Sequence, residues 1–235
     1  MTNKFTTKEI QLLAKKLNND KACGPDALHA EYIKHAPEII HEKIADIYNN
    51  TAATGDIPSS LVHGLLLPIP KPGKPKGPPA NLRPIILLSI FRKLLTIALL
   101  QRIWDRLSPK IPKAQAAYQK GRGTTEQVLA LMLLIEKAIT STDYDLYILL
   151  LDMSKAFDTE NKKLLLQELS TVLEPDEIYL LSILTNRPRI TVTLDGEIGQ
   201  GFHTFVGICQ GDCLSAVLFI FLSSLRTSWE AQCPN

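Results

Sequence analysis

One carboxylate follows an apolar run, a position where proteins often place a metal ligand. Residues 147–151 form a continuous apolar run that predicts a strand buried on both faces, and Asp152 comes directly after it. A carboxylate in a low-dielectric interior is unfavourable unless a cation or a hydrogen-bond donor compensates it. Asp152 is therefore a candidate metal ligand. The simpler alternative, for Asp152 and for Asp158, is a cap on the helix that follows.

A second candidate lies in residues 207–215, where glycines flank polar residues at the start of an apolar helix. A glycine such as Gly211 lets backbone N–H groups approach a ligand closely, and the start of a helix favours anions. The alternative is that Asp212 is simply the N-cap of the helix from Leu214 onward.

A third candidate is the basic loop that follows Pro70. Lys71 and Arg83 flank a tract rich in Pro, Gly and Lys, which proline keeps out of helix and which predicts an exposed loop or hairpin tip. A lysine and an arginine on such an element suit charge neutralisation of a triphosphate. For Lys74 and Lys76 a solvated loop is the simpler alternative.

Charge is unevenly distributed along the chain. Between Leu61 and Arg122 there are twelve Lys or Arg and one acid, Asp105, for a local charge of +11, whereas the whole chain carries +2. A basic block of this kind is typical of a surface that binds a polyanion such as nucleic acid. The alternative is a solvated surface on which positive charges happen to cluster.

Composition indicates an ordinary folded protein. The chain has 235 residues, of which 45% are apolar, enough for one large domain or two small ones. Its four cysteines form no Cys-x-x-Cys pair, and neither a secretory signal nor an apolar stretch long enough to cross a membrane is present. We expect an intracellular protein with reduced thiols that is not secreted and does not enter a membrane.

Periodicity predicts a mixture of helices and strands. Residues 61–70 read as an extended segment, and residues 189–194 and 197–205 read as a hairpin around Asp195-Gly196. Thr7 is expected to precede the first helix, and Thr124 or Thr125 to cap a later one. Helices are predicted over residues 8–17, 27–35, 37–50, 91–107, 162–173, 177–185 and 211–224, and the helix that Thr124 or Thr125 would cap is predicted to end at residue 140.

Six short motifs occur in an order that resembles one family. They are Lys-Ala-Cys-Gly-Pro-Asp at 21–26, Ile-Pro-Lys-Pro-Gly-Lys at 69–74, Asn-Leu-Arg-Pro-Ile at 81–85, Tyr-Gln-Lys-Gly-Arg-Gly-Thr at 118–124, Leu-Asp-Met-Ser-Lys-Ala-Phe-Asp at 151–158 and Gln-Gly-Asp-Cys-Leu-Ser at 210–215. Together they resemble the reverse transcriptase of non-LTR retrotransposons. The resemblance implies an α/β (α+β) right-hand polymerase fold, with a helical segment and fingers in residues 1–145 and a partial palm in residues 146–235.

The resemblance also implies a role for each candidate residue. Two Mg²⁺ ions would promote nucleotidyl transfer, with Asp152 as a catalytic ligand and Met153 offering its carbonyl. Phe157 would exclude a ribose 2′-hydroxyl. Lys71 and Arg83 would clamp the triphosphate of the incoming dNTP, and Gln210 and Gly211 would line the nucleotide and template side of the pocket. The RNA template and DNA primer would contact Lys74, Lys76, Arg92, Lys120 and Arg122.

The sequence departs from the family pattern at several positions, and these departures lower the activity that we expect of it. Cys213 and Ala216 stand where prolines are usual, and residues 160–162 differ from the Val-x-His that often follows the first aspartate motif. The family places a Tyr/Phe-Ala-Asp-Asp motif downstream of Gln-Gly, and this sequence contains no Asp-Asp. We therefore expect a truncated reverse transcriptase fragment that does not polymerise by itself and that leaves an unpaired apolar edge at residues 147–152.

Several readings remain open beside this one. The chain is either part of a working RNA-directed DNA polymerase, a non-catalytic RNA-binding remnant, or the product of a pseudogene, and an intron-encoded maturase is a related alternative. The resemblance implies a nuclear or cytoplasmic location. The oligomeric state does not follow from the sequence.

Overall fold

The structure is a computed structural model that describes residues 3–75, 77–141, 145–186, 188–194 and 196–230. The helices are α1 Thr7–Lys15, α2 Ala30–Lys34, α3 Glu38–Thr54, α4 Ser59–Val62, α5 Ile90–Leu107, α6 Thr124–Thr140, α7 Lys162–Leu169, α8 Pro175–Thr185 and α9 Cys213–Glu230. The strands are β1 His63–Pro70, β2 Leu82–Leu88, β3 Arg189–Leu194 and β4 Glu197–His203. Single turns of 3-10 helix occupy Pro79–Asn81 and Ser108–Lys110.

The four strands form one mixed sheet in the order β2-β1-β3-β4. Strands β1 and β2 form an antiparallel hairpin, β3 lies parallel to β1, and β4 returns antiparallel to β3. The predicted α/β class is confirmed, as are the extended segment before the basic loop and the hairpin of residues 189–205. The turn residue Asp195 of that hairpin lies outside the described residues.

The sheet joins the two predicted parts of the chain. It takes β1 and β2 from residues 1–145 and β3 and β4 from residues 146–235, with Gly64 paired to Ile190 across that boundary. The proposed boundary at residue 145 stays a prediction, but both parts contribute to one sheet.

Helix α5 lies at the centre of the apolar core. It buries nine of its 18 residues, among them Leu95, Leu99 and Ile103. Its start is fixed by Ser89, whose hydroxyl accepts from the amide of Phe91. Helices α1, α4 and α9 pack against it. The core is thus assembled from helices of both ends of the described chain.

Two predicted caps are displaced by one residue. Helix α1 is capped by Thr6 rather than preceded by Thr7, because Thr6 and Glu9 form a reciprocal capping box. Helix α6 begins after Gly123, which offers no side chain, so neither Thr124 nor Thr125 is its cap. Helix α2 is also shorter than the predicted 27–35, and α7 ends before residue 173.

The prediction of a buried strand at residues 147–151 is wrong. The segment has no regular structure, and its side chains are exposed: Tyr147 88%, Leu149 80%, Leu150 84% and Leu151 80%. No strand among the described residues pairs with it. A run that is apolar on both faces forms a buried strand only when neighbours cover both faces and pair its backbone, and the described part of the chain provides no such neighbours for it.

Helix α6 shares this exposure. None of its 17 residues, all of which the structure describes, is buried. Large apolar side chains emerge on every side of it, including Val128, Leu129, Met132, Leu133 and Leu134. A helix that is apolar all round is normally buried inside a larger core. Helix α6 and residues 145–153 are therefore two exposed apolar segments without a covering layer among the described residues.

Candidate functional site

The β1–β2 hairpin carries the first pair of candidate residues. Ile69 is paired with Arg83, and the amide of Lys71 donates to the carbonyl of Asn81 at 2.9 Å, which extends the ladder beyond β1. Lys71 Nζ donates to the carbonyl of Ala80 at 2.8 Å and is half-buried, whereas Arg83 is exposed. Two cations thus stand near each other at the base of the hairpin tip. Lys74 is exposed in the tip, and Lys76 lies outside the described residues.

Residues 207–212, called here the 207–212 turn, lie against the free edge of β2. The amide of Ile86 donates to the carbonyl of Gln210 at 2.8 Å. Gly211 has a φ of +123°, and a Cβ at this position would lie 2.5 Å from the carbonyl oxygen of Ile86. Only glycine fits both the dihedral and the close approach. The turn therefore holds Gln210 and Gly211 beside the strand that bears Arg83.

Residues 155–160 pack on the opposite side of the same turn. The amide of Ile208 donates to the carbonyl of Phe157 at 2.9 Å, and a Cβ on Gly207 would lie 2.6 Å from the carbonyl of Asp158. The Phe157 ring stacks on Phe219 of α9 with centroids 4.8 Å apart. Tyr118 meets the Phe157 ring edge-on at 6.5 Å. The structure thus brings Phe157 close to the turn that carries Gln210.

The predicted metal ligands are not brought to this site as a group. Asp152 and Met153 are exposed, and the apolar segment before them is not held in the sheet. Among the described residues, no three His, Cys, Asp or Glu side chains form a group able to hold a metal ion. The expectation of a buried carboxylate at Asp152 is therefore wrong for this structure, and the residues present do not fit a two-metal centre.

The capping alternatives have different outcomes. The helix after the aspartate motif is α7, which is capped by Asn161 and not by Asp152 or Asp158. Asp212, by contrast, accepts from the amide of Leu214 at 3.1 Å through Oδ1, so its predicted capping role is confirmed.

Arg92 was expected to contact nucleic-acid phosphates, and the structure contradicts this. Its side chain is only 4% exposed and lies in the core, where Nη1 donates to the carbonyl of Leu61 at 3.0 Å and Nη2 to Asp212 Oδ2 at 3.4 Å. A guanidinium in this position cannot reach a phosphate in solvent. The sequence places Arg92 within the apolar run of α5, which is the signal that could have indicated burial.

The other arginines of α5 are also engaged within the molecule. Arg102 binds Glu9 at 2.6 Å and lies 3.9 Å above the Phe5 ring, and Arg106 pairs with Glu177. Part of the basic block therefore neutralises acids from other parts of the chain. These partners were not recognised from the sequence, because they are 71 to 120 residues away.

The remaining candidate cations lie near the start of α6. Lys120 is exposed, whereas Arg122 Nε lies 3.8 Å from Glu126 and its guanidinium donates to the carbonyl of Lys113. Lys120 is thus accessible to a polyanion, and Arg122 is partly engaged in its own turn.

The motif at residues 21–26 has a structural partner that sequence reasoning missed. A Cβ on Gly24 would lie 2.5 Å from the carbonyl of Leu88, so this glycine lets the motif sit directly on the end of β2. A cavity of about 90 Å³ lies between this motif and β2, and its lining includes Lys21, Lys93 and Asp212. The motif therefore borders the 207–212 turn.

Thiol chemistry is disfavoured around the turn. Burial raises the pKa of Cys209, and burial together with the nearby Asp212 raises the pKa of Cys213 to about 11. Neither thiol is activated as a nucleophile, since the thiolate is the reactive form. Partial burial lowers the pKa of Lys162, whose Nζ donates to the carbonyl of Thr204 at 3.1 Å. The site can therefore bind and position a ligand, but it contains no activated nucleophile of its own.

Comparison with known sequences gives a consistent result. The profile of the family described as reverse transcriptase (RNA-dependent DNA polymerase) matches residues 69–233. The chain is 25% identical over 225 residues to the RNA-directed DNA polymerase from mobile element jockey of Drosophila melanogaster, an alignment that covers 94% of this chain and 24% of that protein. It is 28% identical over 225 residues to the retrovirus-related Pol polyprotein from type-1 retrotransposable element R2 of Nasonia vitripennis, with 90% and 21% covered. The chain spans about a quarter of the length of the curated relatives it matches.

Proposed function

The chain belongs to the reverse transcriptase (RNA-dependent DNA polymerase) family, and from this premise we propose that it is the nucleotide- and template-binding part of a non-LTR retrotransposon polymerase. In that role it binds an RNA template, a DNA primer and an incoming dNTP inside a cell, in the nucleus or the cytoplasm. No helix of the described residues is both long and apolar enough to cross a membrane.

The observation that carries the proposal is the meeting of three motifs at the free edge of β2. Gln210 is bonded there through its carbonyl, Phe157 is bonded to the other side of the same turn, and Arg83 lies on β2 itself. Cations at one end suit a triphosphate, and an aromatic ring beside a glycine turn suits the sugar and base. The arrangement supports nucleotide binding between the hairpin and the turn.

The proposal includes divalent metal ions as a property of the family, but it does not give this chain a complete metal site. Reverse transcriptases use divalent metal ions, and the resemblance implies two Mg²⁺ with Asp152 and Met153 as ligands. In the described residues Asp152 is exposed and stands outside any group of ligands. A single exposed carboxylate cannot hold two divalent ions against their mutual repulsion. We propose that the chain by itself binds its substrates and does not join nucleotides.

The test is binding of a fluorescent RNA template–DNA primer, measured by anisotropy over a series of salt concentrations. Neutralising Z phosphates gives a log–log slope between about −0.7Z on single strands and −0.9Z on duplex. Replacing Lys71 and Arg83 by Ala is expected to weaken binding of the incoming dNTP, whereas Lys16→Ala, at the exposed C-cap residue of α1, serves as the matched control. Affinity that does not change with salt would refute the proposal.

A second candidate function, a non-catalytic RNA-binding remnant, is favoured by the isolated position of Asp152. Incorporation of a labelled dNTP separates the two. We expect no extension by the chain itself, and extension that disappears in Asp152→Ala would show that the chain is an active polymerase.

A further inference from the structure

We propose that the buried pair Arg92–Asp212 positions the 207–212 turn against β2, and thereby sets the width of the nucleotide site. The two side chains are 4% and 2% exposed, and Arg92 Nη2 lies 3.4 Å from Asp212 Oδ2. The inference rests on the proposed function in one respect, since it takes Gln210 and Gly211 as nucleotide contacts.

Arg92 connects the two sides of the site through a single guanidinium. Its Nη1 donates to the carbonyl of Leu61, in α4, and α4 leads directly into β1. Strand β1 ends at Pro70, immediately before Lys71. Asp212 ends the 207–212 turn and caps α9 by accepting from Leu214. The hairpin that carries Lys71 and the turn that carries Gln210 are therefore attached to the same side chain.

The contacts that hold the turn differ between its two sides: towards residues 157–160, the amides of Gly207 and Ile208 donate to the carbonyls of Glu160 and Phe157 at 2.9 Å each. Towards β2, the backbone hydrogen bond among the described residues joins the amide of Ile86 to the carbonyl of Gln210. The close approach of Gly211 to the carbonyl of Ile86 demands an accurate position but adds no side chain that packs. Because this one hydrogen bond joins the turn to β2, we expect the turn to move away from β2 while staying attached to residues 157–160 if Asp212 were released.

The free energy of burying the Arg92–Asp212 pair favours a role in positioning the 207–212 turn over a role in stabilising the fold. A buried ion pair gains little over a well-packed apolar pair, because both charges lose their hydration. Arg92 Nε, moreover, has no hydrogen-bond partner among the described residues. A pair chosen for stability would be expected to satisfy this donor, whereas a pair that fixes two segments needs only the bonds that Arg92 makes to Leu61 and Asp212.

The test uses two variants that keep the cap of α9. Asp212→Asn retains an oxygen that accepts from Leu214 but removes the charge that binds Arg92. Adding Arg92→Met to Asp212→Asn also removes the unpaired guanidinium, so that this double variant stays folded. If Asp212 were only a cap, the turn would be unaffected in both.

Amide hydrogen exchange measured by NMR reports the position of the turn. The amide of Ile86 reports it directly, because it is bonded to Gln210, and the amide of Leu99, in the fully buried centre of α5, reports global opening. We expect exchange at Ile86 to quicken at least about tenfold relative to Leu99 in both variants. The matched control, Lys43→Ala, breaks the exposed pair with Asp46 and should leave the ratio unchanged.

Nucleotide binding supplies the second measurement. With the turn released, we expect dNTP affinity to fall at least about fivefold while primer–template affinity is unchanged. An unchanged Ile86 to Leu99 ratio in both variants would overturn the inference, as would a changed ratio with unchanged dNTP affinity. If the wild-type chain binds no dNTP, the proposed nucleotide site is refuted, and the exchange ratio still decides whether the pair positions the turn.

Discussion

Helices α5 and α6 have nearly the same length, 18 and 17 residues, and both are apolar, yet their surroundings are opposite. Helix α5 buries half of its residues and pairs its arginines with distant acids, whereas α6 buries none of its residues. The difference shows that apolar periodicity specifies a helix but not its burial. Burial depends on which other segments are available to cover the helix.

The largest expected effect is the loss of one partner of the buried ion pair. Asp212→Ala leaves the Arg92 guanidinium buried without a counter-charge, and we expect the free energy of unfolding to fall by about 3–5 kcal/mol. Urea denaturation followed by circular dichroism measures it. Asp46→Ala breaks an ion pair whose side chains are more than half exposed, and should change stability by less than about 1 kcal/mol. Similar losses in the two variants would mean that Arg92 is solvated.

Truncation of one leucine in each helix tests the comparison directly. Leu99→Ala in α5 removes a fully buried side chain and should lower the free energy of unfolding by about 2–5 kcal/mol. Leu133→Ala in α6, where the side chain is 55% exposed, should change it by no more than about 0.5 kcal/mol. Equal losses measured in urea would show that α6 is covered in solution.

Thiol alkylation extends the comparison to the first turn of α9. Cys213 contacts Thr96 of α5, and its pKa of about 11 leaves little thiolate at mildly alkaline pH. Compared with a thiol at the ordinary value of 9.0, alkylation should be slower by about 100-fold. A cysteine placed in α6 by Met132→Cys should react at the ordinary rate, and mass spectrometry of the modified peptides measures both.

The same thiol makes stability depend on pH in a defined window. Because the pKa of Cys213 is raised in the folded state, the contribution of its thiol to the free energy of unfolding is complete below about pH 9. This contribution is lost as the pH rises from about 9 to 11. Replacing Cys213 by Ser should weaken this alkaline loss. An identical alkaline profile in the variant would show that the thiol is not buried against α5.

The smallest expected effect on stability concerns the exposed face of α6. Replacing Leu129 and Leu133 by Gln should leave the free energy of unfolding within about 0.5 kcal/mol of the original and reduce self-association, because large exposed apolar patches drive association. Sedimentation velocity measures the self-association. Leu12→Gln, at an isolated exposed leucine of α1, is the control. Unchanged association in the α6 variant would contradict this account of the exposed face of α6.

Local patterns in the sequence were sufficient for the elements that form the candidate site. The Pro, Gly and Lys tract predicted the β1–β2 hairpin, alternation predicted β3 and β4, and Asp212 was recognised as a cap. The motif order indicated the family, which the sequence profile shows.

Two inferences that depended on distant partners failed, the buried strand at residues 147–151 and the exposure of Arg92. The run at residues 147–151 has the composition of a buried strand, but composition cannot say whether neighbours are present to pair with it. Arg92 was counted as a surface cation because its partner Asp212 is 120 residues away. Charge totals along a sequence do not distinguish cations that face solvent from cations that neutralise another segment.

The parallel pairing of β1 with β3 has a consequence for synthesis of the protein. His63 and Thr191 touch across this pair although 128 residues separate them. At a translation rate of about 5–20 residues per second, β1 waits roughly 6–26 seconds before its neighbour emerges from the ribosome. Throughout that interval one edge of the β1–β2 hairpin offers unpaired backbone groups to any other strand. Nascent chains on neighbouring ribosomes are the nearest such strands, so slow translation of residues 71–190 should favour mispairing between copies.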